Sequence, residues 1–161
     1  MIRKWIAIFL FFIVAMTMAI MGLRLAIRQP EIIDVFTQND TSNVIVKNFP
    51  LTDKGKIDWW VDNKNTLFES YGFPKEDKSY GTYTVTFWDY GNGYKKFREP
   101  ERSFLNFFYN EMYCFDSGKE NERCLDKNIL LIINRSTTGI VSYTTEHKYY
   151  QKKNGDIFEG E

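Results

Sequence analysis

The chain has 161 residues, with 21 basic and 21 acidic side chains that cancel, two cysteines, one histidine and 17% aromatic residues. A single histidine excludes a multi-histidine metal centre. Four of the basic residues lie at or before Arg28 and every acidic residue lies after it, so the chain beyond Arg28 carries a net charge of about −4, a poor surface for nucleic acid, whose binding is dominated by cations on phosphate.

Trp5 to Leu23, WIAIFLFFIVAMTMAIMGL, holds no charge and is bounded by Arg3 and Lys4 on one side and by Arg24 and Arg28 on the other. As a helix it covers about 28 Å, close to the hydrocarbon thickness of a bilayer. It predicts a single transmembrane helix within an anchor segment, residues 1–28, followed by one extracytoplasmic α+β domain over 29–161. A cleaved secretory signal is the alternative, with Arg3 and Lys4 as its positive start and Thr17 and Ala19 as small residues for a peptidase. Against it, the run exceeds the roughly 7–15 apolar residues of a signal core and lacks a clear A-x-A site. The cations on the two sides are too evenly matched to orient the anchor by themselves.

Gln29 and Pro30 break the first element. Ile32, Ile33, Val35 and Phe36 predict a strand over Glu31 to Thr37, the turn formers Asn39 to Asn43 follow, and Val44 to Phe49 supplies a second strand to complete a hairpin. The best helix comes next: Thr52 or Asp53 caps it, Ile57, Trp60, Val61, Leu67, Phe68 and Tyr71 fall near one face, and Gly72 with Pro74 stops it. Gly55 weakens its first turn.

From Thr82 the period changes to two, with Tyr83, Val85 and Phe87 alternating against threonines as in a half-buried strand. Gly91, Asn92 and Gly93 then offer a hairpin turn into Tyr94 to Phe97. The segment FLNFFYNEMYCF, Phe104 to Phe115, is apolar nearly all round if helical. One reading buries it under the sheet. The other makes Phe104, Phe107, Phe108, Tyr109 and Met112 a surface that docks a partner or enters the membrane interface.

Cys114 and Cys124 flank a polar stretch able to turn back on itself. Paired, they stabilise a short loop by about 3 kcal/mol and require an oxidising compartment, which agrees with an extracytoplasmic domain; the alternative is two reduced thiols. Ile129 to Ile133 and Gly139 to Thr145 predict further strands, and Tyr149 to Phe158 a last hairpin turning at Asn154 and Gly155. These elements predict a mostly antiparallel sheet with one main packed helix.

No H-E-x-x-H, G-x-S-x-G, P-loop or C-x-x-C pattern occurs, and neither a metal nor a cofactor is expected. Asp58 and Asp62 share a helix face and Asp89 ends a strand, so paired-carboxylate chemistry has candidates. A solvated helix face and a turn account for the same residues.

Three stretches, Val46 to Trp60 with Asn63 and Lys64 beyond it, Phe87 to Tyr94, and Cys124 to Asn128, together resemble an enterobacterial family of membrane proteins known as a domain of unknown function. The N-terminal anchor and the closing Lys152 to Ile157 are similar too. The resemblance implies a single-pass inner-membrane protein with its domain in the periplasm, and it brings no catalytic residues. Two function classes follow. The first is an interaction protein touching the lipid bilayer and a protein partner, such as an immunity protein against an envelope-targeting toxin or an accessory subunit of an envelope assembly. The second is a periplasmic hydrolase acting on cell wall or lipid through Asp58, Asp62 or Asp89.

Overall fold

A computed structural model describes residues 9, 11–18, 29–97, 111–115 and 123–160. Its architecture is α+β. Seven strands form one sheet in the order β1-β2-β3-β6-β7-β8-β9, and β4 and β5 form a separate two-stranded ribbon. The strands are β1 (Glu31–Gln38), β2 (Thr41–Lys47), β3 (Tyr83–Asp89), β4 (Met112–Cys114), β5 (Cys124–Asp126), β6 (Ile129–Arg135), β7 (Val141–Thr144), β8 (Lys148–Gln151) and β9 (Ile157–Glu159).

The first hairpin forms with a tighter turn than expected. Gln38 lies across from Thr41, and Asn39 takes a positive φ of 54°, a conformation in which asparagine is favoured over most residues. The pairs are antiparallel except β2 with β3. That parallel pair is a consequence of helix α1 (Asp53–Tyr71), since parallel neighbours need a crossover connection between them.

Local chemistry sets the ends of α1. Thr52 accepts a hydrogen bond from the Gly55 amide through its side chain, and Gly72, at φ 73°, donates its own amide to the Phe68 carbonyl, so one end donor and one end acceptor of the helix are satisfied. Ile57, Trp60 and Leu67 are buried against Val44, Val46, Val85, Phe87, Leu131 and Ile133 of the sheet. The expected face is too wide, because Phe68 and Tyr71 are 58% and 49% exposed. Gly55 also leaves room for the cap: a Cβ there would lie 2.9 Å from Thr52 Oγ1 and 3.1 Å from Pro50 Cβ, so a larger residue would force the cap or Pro50 to shift.

Two sequence expectations fail here. Gly91 and Gly93 do turn the chain, at φ 49° and 94°, but Tyr94 to Phe97 forms no strand, only a single bridge from Lys95 to Cys124. Strand β3 already has β2 and β6 on its two sides, leaving no edge for a hairpin partner. Met112 to Cys114 is strand rather than helix, while Phe104, Phe107, Phe108 and Tyr109 lie outside the described residues. Residues 11–18 are helical, as the anchor reading requires, and the rest of the 5–23 run is outside the described residues apart from Phe9. Among the described residues no helix is long and apolar enough to cross a membrane.

Register decides which loops share an end of the sheet. Glu31 pairs with Lys47, Val46 with Asp89, and Trp88 with Ile129. The entry to β1, loop 48–52, turn 90–93 and residues 127–128 therefore sit at one end. Turns 39–40 and 136–140 lie at the other.

Candidate functional site

Alternation along β2 and β3 sends Ile45 and Trp88 to the sheet face opposite α1. There the β4–β5 ribbon covers them, with Phe115 and Leu125 completing a second core that Ile33, Phe36, Tyr90 and Tyr94 border. Cys114 lies directly across from Cys124, and the two are joined by a disulfide with Cα atoms 3.9 Å apart. Backbone bonds extend the clamp: the Phe115 amide donates to the Arg123 carbonyl at 2.9 Å, and the Lys95 amide donates to the Cys124 carbonyl at 2.8 Å.

The aromatic side chains interlock. Phe115 stacks on Phe36 at 5.2 Å and meets Trp88 edge-on at 5.2 Å. Tyr113 stacks on the Trp88 indole at 4.8 Å, yet remains 44% exposed. The indole is itself held, donating from Nε1 to Asn43 Oδ1 at 2.9 Å. Aromatic pairs at such distances contribute about 0.5–1.5 kcal/mol each beyond their burial.

Beside this layer Asp34 gathers three donors. Its Oδ2 accepts from the Tyr94 hydroxyl at 3.2 Å and from Arg123 Nη1 at 3.3 Å, while Oδ1 accepts from the Val35 amide at 3.0 Å. A register shift between Ile32 and Asp34 is the local bulge that accompanies this aim. Burial, then the negative charge of Asp34, holds the Tyr94 phenol well above its ordinary value of 10.0, so it stays a neutral donor. Arg123 also lies over the Phe36 ring at 6.0 Å, tying the ribbon to β1 by charge and by cation–π contact.

Of the residues expected to form a partner surface, only Met112 is described, half-buried on β4. Tyr113 beside it was not among them. Its signal is weak in sequence, because the indole it stacks on lies 25 positions away.

The acids named by the sequence are dispersed. Asp58 is paired with Lys54 on exposed α1, Asp62 is an exposed residue of the same helix, and Asp89 accepts from the Gly91 amide and from Asn128 Nδ2 at the rim of a polar hollow of about 290 Å³. A cluster the sequence did not reveal joins α1 to the β7–β8 turn: Asp53 Oδ2 faces His147 Nδ1 at 3.2 Å and accepts from the Tyr149 hydroxyl at 3.3 Å, with Lys56 Nζ 3.5 Å from Oδ1. Burial pushes the Asp53 carboxyl up, but hydrogen bonds from Thr145, His147 and Tyr149 together with the Lys56 charge outweigh it and hold it below 3.8. The same contact to Asp53 is the main cause raising His147 above 6.5.

The three stretches Val46 to Trp60, Phe87 to Tyr94 and Cys124 to Asn128 converge at the end of the sheet where β1 begins. No curated protein and no solved structure gives a significant match to the chain. The model of the family described as "Enterobacterial putative membrane protein (DUF943)" matches residues 3–160, nearly the full length, and the protein belongs to that family.

Proposed function

We propose that the protein is a single-pass inner-membrane protein whose domain faces the periplasm and binds a protein partner through the outer surface of the β4–β5 ribbon. In its most concrete form it is an immunity or inhibitor protein acting on an envelope-targeting toxin. The observation that carries this reading is Tyr113, 44% exposed while stacked at 4.8 Å on a hydrogen-bonded Trp88. Aromatic residues are the commonest energetic anchors of interfaces, and one already immobilised by a stack and a nearby disulfide loses little further entropy on binding.

The anchor and compartment rest on different supports. The uncharged run from Trp5 to Leu23 has the length a spanning helix needs. The Cys114–Cys124 disulfide suits an oxidising compartment and is out of place in a reducing cytoplasm.

Affinity capture of the full-length protein from gently solubilised membranes, followed by mass spectrometry, tests the reading. A single near-stoichiometric toxin or hydrolase, lost on Tyr113→Ala while the melting temperature holds, is the expected result. Recovery of no protein partner overturns it. A partner retained by Tyr113→Ala but lost when Phe104, Phe107, Phe108 and Tyr109 are replaced moves the surface off the ribbon.

A further inference from the structure

We infer that the end of the sheet where β1 begins is a membrane-facing surface, seated against the phospholipid headgroups of the leaflet that holds the anchor, with Leu51 entering the interface. The inference rests on the anchor reading above and adds to it a contact between the domain and the bilayer.

The tether limits where the domain can be. Seven residues separate Leu23 from Glu31, eight steps that span at most about 29 Å when fully extended, and the headgroup layer takes up about 5–8 Å of that. Glu31 opens β1 and lies across from Lys47, so loop 48–52, which continues from Lys47, belongs to the end held nearest the membrane. The opposite end, with turns 39–40 and 136–140, is farther by the length of β2, roughly 23 Å for its 7 residues at about 3.3 Å per residue.

The near end presents apolar surface at the tip of that loop. Leu51 is 81% exposed, the most exposed large apolar side chain among the described residues. It follows Pro50 and rims a groove of about 780 Å³ floored by Phe49 and Leu130 and flanked by Lys47 and Lys56. Ile129, at the same end, is 37% exposed. A lone exposed leucine is ordinary on a protein surface; the tether is what makes this one different, since a short linker holds it at a millimolar-scale effective concentration beside the bilayer.

Charge does not drive the contact. Four carboxylates at this end are engaged within the protein, Asp53 by His147 and Lys56, Asp89 by Asn128, Asp126 by Lys95 and Glu111 by Lys127, while Glu31 at the start of β1 is exposed. Lysines and acids are near balance there, so docking does not require anionic lipid and is insensitive to salt.

Full-length protein in nanodiscs of zwitterionic lipid, brominated on the acyl chains, tests this with Leu51→Trp and Ile140→Trp, each referred to the parent protein. Ile140 is the control, 52% exposed but in the far turn. The tryptophan at position 51 is expected to lose about half of its added emission, as for a side chain lying about 5–10 Å into the headgroup boundary, at low and high salt alike, while that at position 140 keeps its emission. Protein that travels with the discs but shows no quenching at either position overturns the docking and leaves the anchor intact. Quenching at both positions overturns the end-on placement. Protein that fails to travel with the discs overturns the docking together with the anchor.

Discussion

Replacing Trp60 by alanine is the sharpest test of the core. Its side chain is 1% exposed, stacked on Phe73 at a ring separation of 6.5 Å and edge-on to Phe87 at 5.9 Å. Phe87 also receives Phe49 and Trp59, so the cavity left behind borders rings that are already engaged and cannot readily collapse into it. Truncating a buried tryptophan costs about 3–5 kcal/mol, a large part of the 5–15 kcal/mol that holds a typical domain together. At about 3–4 °C per kcal/mol for a domain between the small and larger size classes, the melting temperature should fall by roughly 10–20 °C. Phe68, on the same helix but 58% exposed, is the internal control and should cost about 0.5 kcal/mol or less. Thermal unfolding of the full-length protein in mild detergent, followed by near-ultraviolet circular dichroism, reads both. A Trp60→Ala melting temperature within a few degrees of the parent, or an equal loss for Phe68→Ala, would refute the packing of α1 on the sheet.

Gly55→Ala should destabilise by about 1 kcal/mol, the worth of an N-cap, although alanine is ordinarily the better helix former; a rise in melting temperature would show that the Thr52 cap yields without cost to a Cβ placed 2.9 Å from its hydroxyl. Labelling of Cys114 and Cys124 by a thiol reagent should require prior reduction, and replacing both by serine should cost about 3 kcal/mol; ready labelling of the native protein would remove the clamp. The Asp53–His147 contact predicts a pH window. The His147 share is fully present below 6.5 and is lost as pH rises through its raised folded value, and the Asp53 share is present above 3.8 and lost as pH falls through its lowered one. Stability should therefore decline as pH rises above 6.5 and through the raised His147 value, and His147→Gln should flatten that decline; an unchanged slope would dismiss the pair.

Helix α1 was legible because its determinants are local. Thr52 and Gly72 act on backbone groups within four residues, and no distant partner can redirect them. Phe68 and Tyr71 show where periodicity stops being informative: 19 residues of helix run about 28 Å, while the 7-residue strands beneath run about 23 Å. The helix outruns the strands, so among the described residues Tyr71 keeps only the Phe73 ring, at 6.1 Å, as a ring partner, and Phe68 borders an open groove beside Tyr83 and Val141. The expected hairpin after Gly93 failed for a related reason. Gly91 and Gly93 do turn the chain, but pairing is competitive, and β2 and β6 occupy both sides of β3.

The candidate site was the least legible part. Its two cysteines were visible as a pair, whereas Tyr113 over Trp88 and Arg123 beside Asp34 depend on a ribbon folding back across the face of the sheet. By itself, the sequence determined the uncharged N-terminal run, the capped helix, the alternation of Tyr83 to Phe87 and the glycine turns, because each follows from the bonding and shape of neighbouring residues. Only the tertiary structure decided that β2 and β3 run parallel, that Asp53 meets a histidine 94 positions away, and that loop 48–52 shares an end with the start of β1. Such contacts follow from strand order and register, which the chain settles by burying both faces of one sheet at once.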